Sequence, residues 1–295
     1  MKHLNAVCFG EVLIDRFPTY SRVGGAPLNV ALRLKSLGAD VNMISSISDD
    51  VEGKEIIDFL NTSGLNTQCI QTYKGAPTGI VDVQISESGN AQYEIKYPSA
   101  WDHIFLNEVD ISLVKNSDVF IYGSLSARDF ISKTTLLNIL PHAKFRVFDV
   151  NLRPPHYSFE DLSLLMNEAD LIKMNDEELY EISEHFGSKY NSFDQNIKFI
   201  SDITNTDYIC VTKGAFGASL YIKGEIINND GYKVNVVDTV GSGDSFLASL
   251  IFKLLGNSKA KHAINFACAI GALVASCKGA NPEFTESEIK KFIRS

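Results

Sequence analysis

One stretch of the chain combines glycines, a hydroxyl and a carboxylate in a pattern suited to phosphate chemistry. Residues 238–246 read DTVGSGDSF and lie between a predicted strand at residues 233–237 and a predicted amphipathic helix. Residues 241–243 would therefore form a helix N-terminus, where backbone N–H groups and the helix dipole attract an anion. Asp244 in the same turn could take a proton from a hydroxyl. The alternative is that Asp244 only caps the helix.

A second glycine-rich segment precedes another predicted helix. Residues 24–31 read GGAPLNVA, with Pro27 near the first turn and Asn29 just after it. The two glycines could bring backbone close to a ligand, or they could simply form a structural turn. A dinucleotide-binding fingerprint is the rival interpretation. It fails because GxGxxG is not matched and because residues 11–23 separate the glycines from the first strand.

Polar residues also follow predicted strands further along the chain. Asn175 and Glu178 have the spacing of a capping box, and the carboxylate could alternatively hold Mg²⁺ through water. Asn151 and Arg153 follow another strand, where they could grip hydroxyls and phosphate. Asp15 lies on a segment that projects past the first strand, and it could bind sugar hydroxyls or simply be solvated.

Several other kinds of site are disfavoured by pattern. The chain contains neither a GxxxxGK[ST] phosphate loop nor a GxSxG nucleophile elbow. Its 6 histidines never fall at metal-ligand spacing, so a zinc site is not expected.

Composition limits the class of protein. The 295 residues are 45% hydrophobic and carry a net charge of −9, which allows a sizeable core and disfavours nonspecific nucleic-acid binding. The 5 cysteines form no CxxC pair, which indicates a reducing compartment. No signal-peptide pattern opens the chain, and the apolar run at residues 263–275 is too short to span a bilayer. We therefore expect a soluble cytoplasmic protein that binds neither nucleic acid nor membrane.

The elements that must position these residues alternate between strand and helix from end to end. This rhythm predicts an α/β fold with a mostly parallel sheet covered by helices on both faces. Residues 11–23 and 78–97 break the rhythm, and the second alternates as an antiparallel hairpin with a turn at Gly89-Asn90. We expect these segments to form a small layer projecting from the main sheet. The predicted division is 1–10 as the start of the core sheet, 11–23 as lid strands, 24–77 as core, 78–98 as the lid hairpin, and 99–295 as the rest of the α/β core.

Taken in their order along nearly the whole chain, the segments at residues 24–31 and 238–244 resemble the two signatures of the PfkB family of carbohydrate kinases. The resemblance implies a ribokinase-like fold, a three-layer αβα sandwich with a mostly parallel central sheet and a small β-stranded lid. It also implies transfer of the γ-phosphoryl group of ATP to a sugar hydroxyl. Related proteins often dimerise through the lid, so a homodimer is expected.

The resemblance assigns a role to each matching residue. Asp244 would be the catalytic base, and the anion hole would be formed by Gly241, Ser242 and Gly243. The sugar would be held by Asp15, Gly25, Asn29, Asn151 and Arg153. ATP would be bound by Lys173, Asn175, Thr212, Gly214, Gly217 and Gly279, and Mg²⁺ would be held through water by Glu178. A candidate monovalent-cation site, for K⁺, would comprise Asp238 and the carbonyls of Val240, Val274 and Gly279, with Glu283 standing where some members have a small residue.

Fructose is the substrate that the resemblance favours. The segments at residues 10–15, 97–102 and 149–154 are similar to the fructokinase branch, although Val150 replaces a proline common there. The alternatives within the family are 2-keto-3-deoxygluconate, ribose or a nucleoside, and Arg153 is the obvious basic group for an acid sugar. Two interpretations outside the kinases remain. The first is a catalytically silent sugar-binding protein, and the more distant one is a dehydrogenase.

Overall fold

A large central sheet organises the computed structural model, which describes residues 3–85 and 91–294. The strands of this sheet are β1 (Asn5–Phe9), β4 (Asp40–Ile47), β5 (Ile70–Thr72), β8 (Val119–Gly123), β9 (Arg146–Asp149), β10 (Leu171–Asn175), β11 (Tyr208–Thr212), β12 (Ala218–Ile222) and β13 (Glu225–Asn229). They lie in the order β13-β12-β11-β10-β9-β8-β1-β4-β5. The seven from β11 to β5 are parallel, whereas β12 pairs antiparallel with both β11 and β13.

Helices cover both faces of this sheet, which confirms the predicted three-layer α/β fold. They are α1 (Ala26–Ser36), α2 (Val51–Thr62), α3 (Glu108–Asn116), α4 (Phe130–Ile139), α5 (Phe159–Asn167), α6 (Asp176–His185), α7 (Phe193–Thr204), α8 (Ser242–Leu255), α9 (Ala260–Ala275) and α10 (Glu286–Arg294). In the part of the chain that is described, no helix has the length and apolar character needed to cross a membrane.

The parallel strands are apolar on both faces because each face packs against helices. Adjacent residues of β1 show this, since Phe9 joins one core cluster while Cys8 joins the other. Phe9 and Phe120 lie in the first cluster, and Ile121, the next residue of β8, lies in the second.

A second sheet of four strands forms the lid, in the order β3-β2-β6-β7. Its strands are β2 (Leu13–Arg16), β3 (Ser21–Gly24), β6 (Gly79–Ile85) and β7 (Ala91–Ile95). This sheet has its own small buried hydrophobic cluster, which is formed by Leu13, Val81 and Val83. The predicted antiparallel hairpin is confirmed by the β6–β7 pairing, but its turn at Gly89-Asn90 lies outside the described residues.

The prediction of a strand at residues 233–237 is wrong. This segment has no regular secondary structure, and Val236 and Val237 are 61% and 55% exposed. The N–H of Val237 donates to the carbonyl of Ala275 at 2.8 Å, at the end of α9. The alternation of valines imitates a strand, but the segment lies beside a helix end instead of a sheet edge.

Candidate active site

The start of α8 is shaped by a glycine that no other residue could easily replace. Gly241 has φ +73°, and a Cβ on it would lie 2.4 Å from the Cβ of Ala280. Ser242 pins the turn to α9 by donating from Oγ to the carbonyl of Gly271 at 2.9 Å. The N–H of Ser242 donates to the carbonyl of Thr239 at 3.2 Å, while the N–H groups of Gly243 and Asp244 belong to a first helical turn, which has no acceptor within the helix.

Asp244 receives a directed hydrogen bond from the other glycine segment. Nδ2 of Asn29 donates to Oδ2 of Asp244 at 2.8 Å, and Nδ2 of Asn281 donates to Oδ1 of Asn29 at 2.9 Å. Burial, and then the nearby carboxylate of Asp149, raise the pKa of Asp244 to about 6, whereas Lys173 and the Asn29 bond lower it. Asp244 is thus a stronger base than an ordinary aspartate, yet it is ionised at neutral pH.

A buried cluster of charges lies at the carboxyl ends of β9 and β10. Nζ of Lys173 donates to Oδ1 of Asp149 at 2.9 Å, with side chains only 8% and 6% exposed. Burial alone would lower the pKa of Lys173, but the carboxylates of Asp149 and Glu178 hold it well above the usual value. The ammonium therefore stays charged at neutral pH, and it is close enough to Asp244 to lower the pKa of that carboxyl.

Glu178 is held by backbone donors at both carboxylate oxygens. Oε1 accepts from the N–H of Leu152 and Oε2 accepts from the N–H of Asn175, each at 2.8 Å. Asn175 Oδ1 in turn accepts from the N–H of Glu178, which completes the predicted capping box of α6. Burial raises the pKa of Glu178 and Lys173 opposes that rise.

Most of the residues predicted to bind ATP line one cavity of about 710 Å³. This cavity is next to the start of α8 and to the ends of β10 and β11. Predicted residues that line it are Asn175, Thr212, Gly214, Gly217, Ser242 and Gly243. Its apolar part includes Phe246, Cys268 and Ala272, which the motifs did not indicate. Gly279, predicted to bind ATP, lies instead beside Asp238.

A smaller cavity of about 380 Å³ opens under the lid and is bordered by Asp15, Asn29 and Asn281. Burial raises the pKa of Asp15 to about 6, while Arg153 and Arg22 lower it. Asp15 and Asn29, both predicted to bind sugar, therefore share one cavity. Of the two other predicted side chains, Asn151 has φ +41° and Arg153 is exposed, donating to the carbonyl of Leu152 at 2.9 Å.

Gly25 explains why two glycines precede α1. It has φ +120°, and a Cβ on it would lie 2.4 Å from the carbonyl oxygen of Glu11. The backbone of the lid entry and the backbone of α1 thus approach more closely than a side chain allows.

Two carboxylates were missed by the motif analysis. Glu11 is 3% exposed, its Oε2 has no hydrogen-bond partner, and burial raises its pKa to about 7. Asp149 Oδ2 also has no partner. Both residues line a small void bordered by α1, β8 and β9. The available signal was an acidic residue near the carboxyl end of an apolar strand, since Asp149 ends β9 and Glu11 lies two residues after β1.

Asp238 ties together the two loops that flank the turn at residues 241–244. Its Oδ1 accepts from the N–H of Val240 at 3.1 Å and its Oδ2 accepts from the N–H of Gly279 at 3.0 Å. Within residues 3–85 and 91–294, no three His, Cys, Asp or Glu side chains form a group able to hold a metal ion. A divalent ion bound here would have to take most of its ligands from water and a nucleotide.

Comparison with known proteins gives concordant matches. Residues 5–287 match the pfkB family carbohydrate kinases. Fructokinase from Solanum tuberosum is 31% identical over 307 residues, covering 96% of this chain and 93% of that protein. Fructokinase with bound ATP from Xylella fastidiosa has a TM-score of 0.86 at 23% identity, with 98% of each chain covered. A double mutant of Vibrio cholerae fructokinase, with fructose, ADP and potassium ion bound, has a TM-score of 0.84 at 21% identity, also with 98% of each chain covered.

Proposed function

Because the chain belongs to the pfkB family of carbohydrate kinases, we propose that it transfers the γ-phosphoryl group of ATP to a hydroxyl of fructose. The observation that carries the proposal is the position of the Gly241–Asp244 turn relative to the two cavities. Ser242 and Gly243 border the larger cavity, and Asn29, which holds Asp244, borders the smaller one under the lid. A carboxylate poised between two such cavities suits transfer from one ligand to the other.

The proposed reaction starts with proton transfer to Asp244. Asn29 engages Oδ2, so we assign Oδ1 as the atom that takes the proton from the sugar hydroxyl. The hydroxyl oxygen forms a bond to the γ-phosphorus while the bond from that phosphorus to the bridging oxygen of ADP breaks. ADP leaves with that electron pair, and the proton stays on Asp244 until product release.

Negative charge that develops on the phosphoryl group is stabilised best by hydrogen-bond donors that are already in place. The N–H groups of Gly243 and Asp244 at the start of α8 supply them, together with the helix dipole. Lys173 adds a fixed positive charge close to Asp244. Little covalent work is required of the protein, since phosphoryl transfer depends mainly on positioning and charge stabilisation.

The carboxylate oxygens near the ends of β9 and β10 suit a Mg²⁺ ion that is held largely through water. Glu178 presents a carboxylate locked by two backbone N–H groups, and Asp149 retains an unpartnered oxygen nearby. Oxygen ligands of this kind are what Mg²⁺ prefers, and we propose that Glu178 holds it through water. When bound, the ion would offset the negative charge of the ATP phosphates.

Substrate choice, assembly and location belong to the same proposal. Fructose is favoured by fructokinase relatives about 30% identical over nearly the whole chain. A homodimer through the lid is supported by Tyr20 and Tyr93, which are 47% and 53% exposed on or beside the lid strands. We place the enzyme in the cytoplasm because it needs ATP and because all five cysteines are free thiols.

The test is ADP release from MgATP with fructose, ribose, 2-keto-3-deoxygluconate and a nucleoside compared side by side. A rate that strongly favours fructose supports the full proposal. Turnover of another member of the panel retains the kinase mechanism and discards fructose. If none is turned over, sugar-induced thermal shifts without turnover would instead support a silent binding protein.

A further inference from the structure

An arginine of the lid reaches the acidic group that stands before the anion-hole turn. Arg22 lies on β3, and its Nη1 is 3.5 Å from Oδ2 of Asp238. Its guanidinium carbon lies 4.9 Å from the centroid of the Tyr20 ring, which restricts the side chain further. The ion pair therefore connects the small sheet to the loop that leads into α8.

The arginine also fills the space against the loop after α9. A Cβ built on Gly279 would lie 3.1 Å from Nη1 of Arg22, so the guanidinium lies directly against this glycine. The N–H of Gly279 donates to the same oxygen, Oδ2 of Asp238, at 3.0 Å. Both oxygens of Asp238 are thus engaged by donors from three separate segments of this chain.

These contacts do not fit an inorganic cation at Asp238. The charge of Asp238 is already balanced by Arg22, and a K⁺ ion beside it would be repelled by the guanidinium. The protein carries its own positive charge at the place where an ion would act.

We propose that Arg22 takes the place of a monovalent cation at Asp238, so that this chain binds nucleotide and turns over without K⁺. The proposal rests on the proposed kinase function. Arg22 is a positioning residue, because it acts on the Thr239–Gly243 turn through Asp238. The ion pair also connects the lid to the nucleotide-binding part of the protein, because it forms only when the lid holds β3 in place.

The first measurement compares K⁺ with tetramethylammonium at constant ionic strength. ADP binding by calorimetry and sugar-dependent ADP release should each change less than about twofold between the two salts in the wild-type protein. A wild-type protein that binds ADP or turns over many-fold better in K⁺ overturns the proposal. The calorimetric measurement needs no sugar, so it remains decisive if every sugar in the panel proves wrong.

The second measurement uses Arg22→Ala, Arg22→Lys and the control Arg16→Ala. Arg16 is on β2 of the same lid and pairs with Glu52 at 3.1 Å, outside both cavities. Arg22→Ala should weaken ADP binding at least about tenfold in tetramethylammonium. In K⁺ this variant should recover part of the lost affinity. Arg22→Lys should retain more affinity than Arg22→Ala, and Arg16→Ala should match the wild type. Equal ADP affinity in Arg22→Ala and wild type, in both salts, overturns the proposal.

Discussion

Asn29 donates a hydrogen bond of 2.8 Å to the carboxylate of Asp244, although 215 positions separate the two residues. Asn281 fixes the orientation of the amide by donating to its oxygen at 2.9 Å. Because that oxygen is an acceptor, the amide nitrogen must face Asp244. The two glycine-containing segments of the chain therefore meet at one carboxylate, whose proton affinity depends on both.

Replacing Asp244 by Asn should remove turnover but leave sugar binding largely intact. The amide keeps the size of the side chain but cannot accept the hydroxyl proton, so kcat should fall by about 10³-fold. Steady-state ADP release and sugar binding by calorimetry measure the two effects. Asp194→Asn is the matched control, since Asp194 is an exposed aspartate in the first turn of α7. A near wild-type rate in Asp244→Asn would refute the assignment of the base.

The pH profile should show an acid limb set by Asp244. The base must be ionised, and its pKa is raised to about 6, so kcat/KM should fall about tenfold per pH unit below that value and level off above it. The Asn29 bond lowers this pKa, so Asn29→Ala should move the limb to higher pH. Profiles of kcat/KM between about pH 5 and 9 test both statements. A limb at the same pH in Asn29→Ala would show that this bond does not tune the base.

Glu11→Gln should stabilise the protein more at high pH than at low pH. Burial raises the pKa of Glu11 to about 7, above its ordinary value of 4.5, so the folded state keeps a proton that the unfolded state loses. Wild-type stability therefore falls as pH rises from 4.5 through about 7, and glutamine does not titrate. The difference in unfolding free energy between variant and wild type should grow by about 2 to 3 kcal/mol across that window.

Urea unfolding at about pH 5 and 8 measures this difference. Glu184→Gln is the matched control, because it makes the same chemical change at an exposed position on α6. A pH-independent difference for Glu11→Gln would mean that Glu11 is ionised in the folded protein throughout.

Gly241→Ala should disable the site through a clash that another left-handed glycine does not share. Gly241 and Gly38 both have positive φ, so alanine costs each about 1 kcal/mol in backbone strain. Only at Gly241 does the new Cβ meet another atom, the Cβ of Ala280 at 2.4 Å, whereas Gly38 has nothing within 4 Å. We expect Gly38→Ala to keep wild-type kcat and Gly241→Ala to lose ADP binding and turnover. Equal kcat values for the two variants would contradict the role of this turn.

The sequence alone determined the local features and their order along the chain. The capping box of Asn175 and Glu178 at the start of α6 was predicted correctly, because it lies within four consecutive residues. The parallel sheet was predicted from the succession of strands and helices, and the lid hairpin from the alternation of apolar and polar residues. Each element in these patterns is recognised from near neighbours in the sequence. The segment at residues 233–237 shows the limit, since its alternating valines have no neighbouring strand to pair with.

Only the tertiary structure decided which side chains meet and what their charges become. Arg22 and Asp238 pair because β3 folds over the start of α8, and nothing near either residue in sequence indicates this. Glu11, Asp149 and Lys173 acquire their roles from burial, which depends on helices packed from distant parts of the chain. Propensities and caps act over a few residues, whereas desolvation and Coulomb interactions depend on distance in space. The motifs could therefore single out Asp244 as the candidate base and the glycines beside it, but not the partners that set their chemistry.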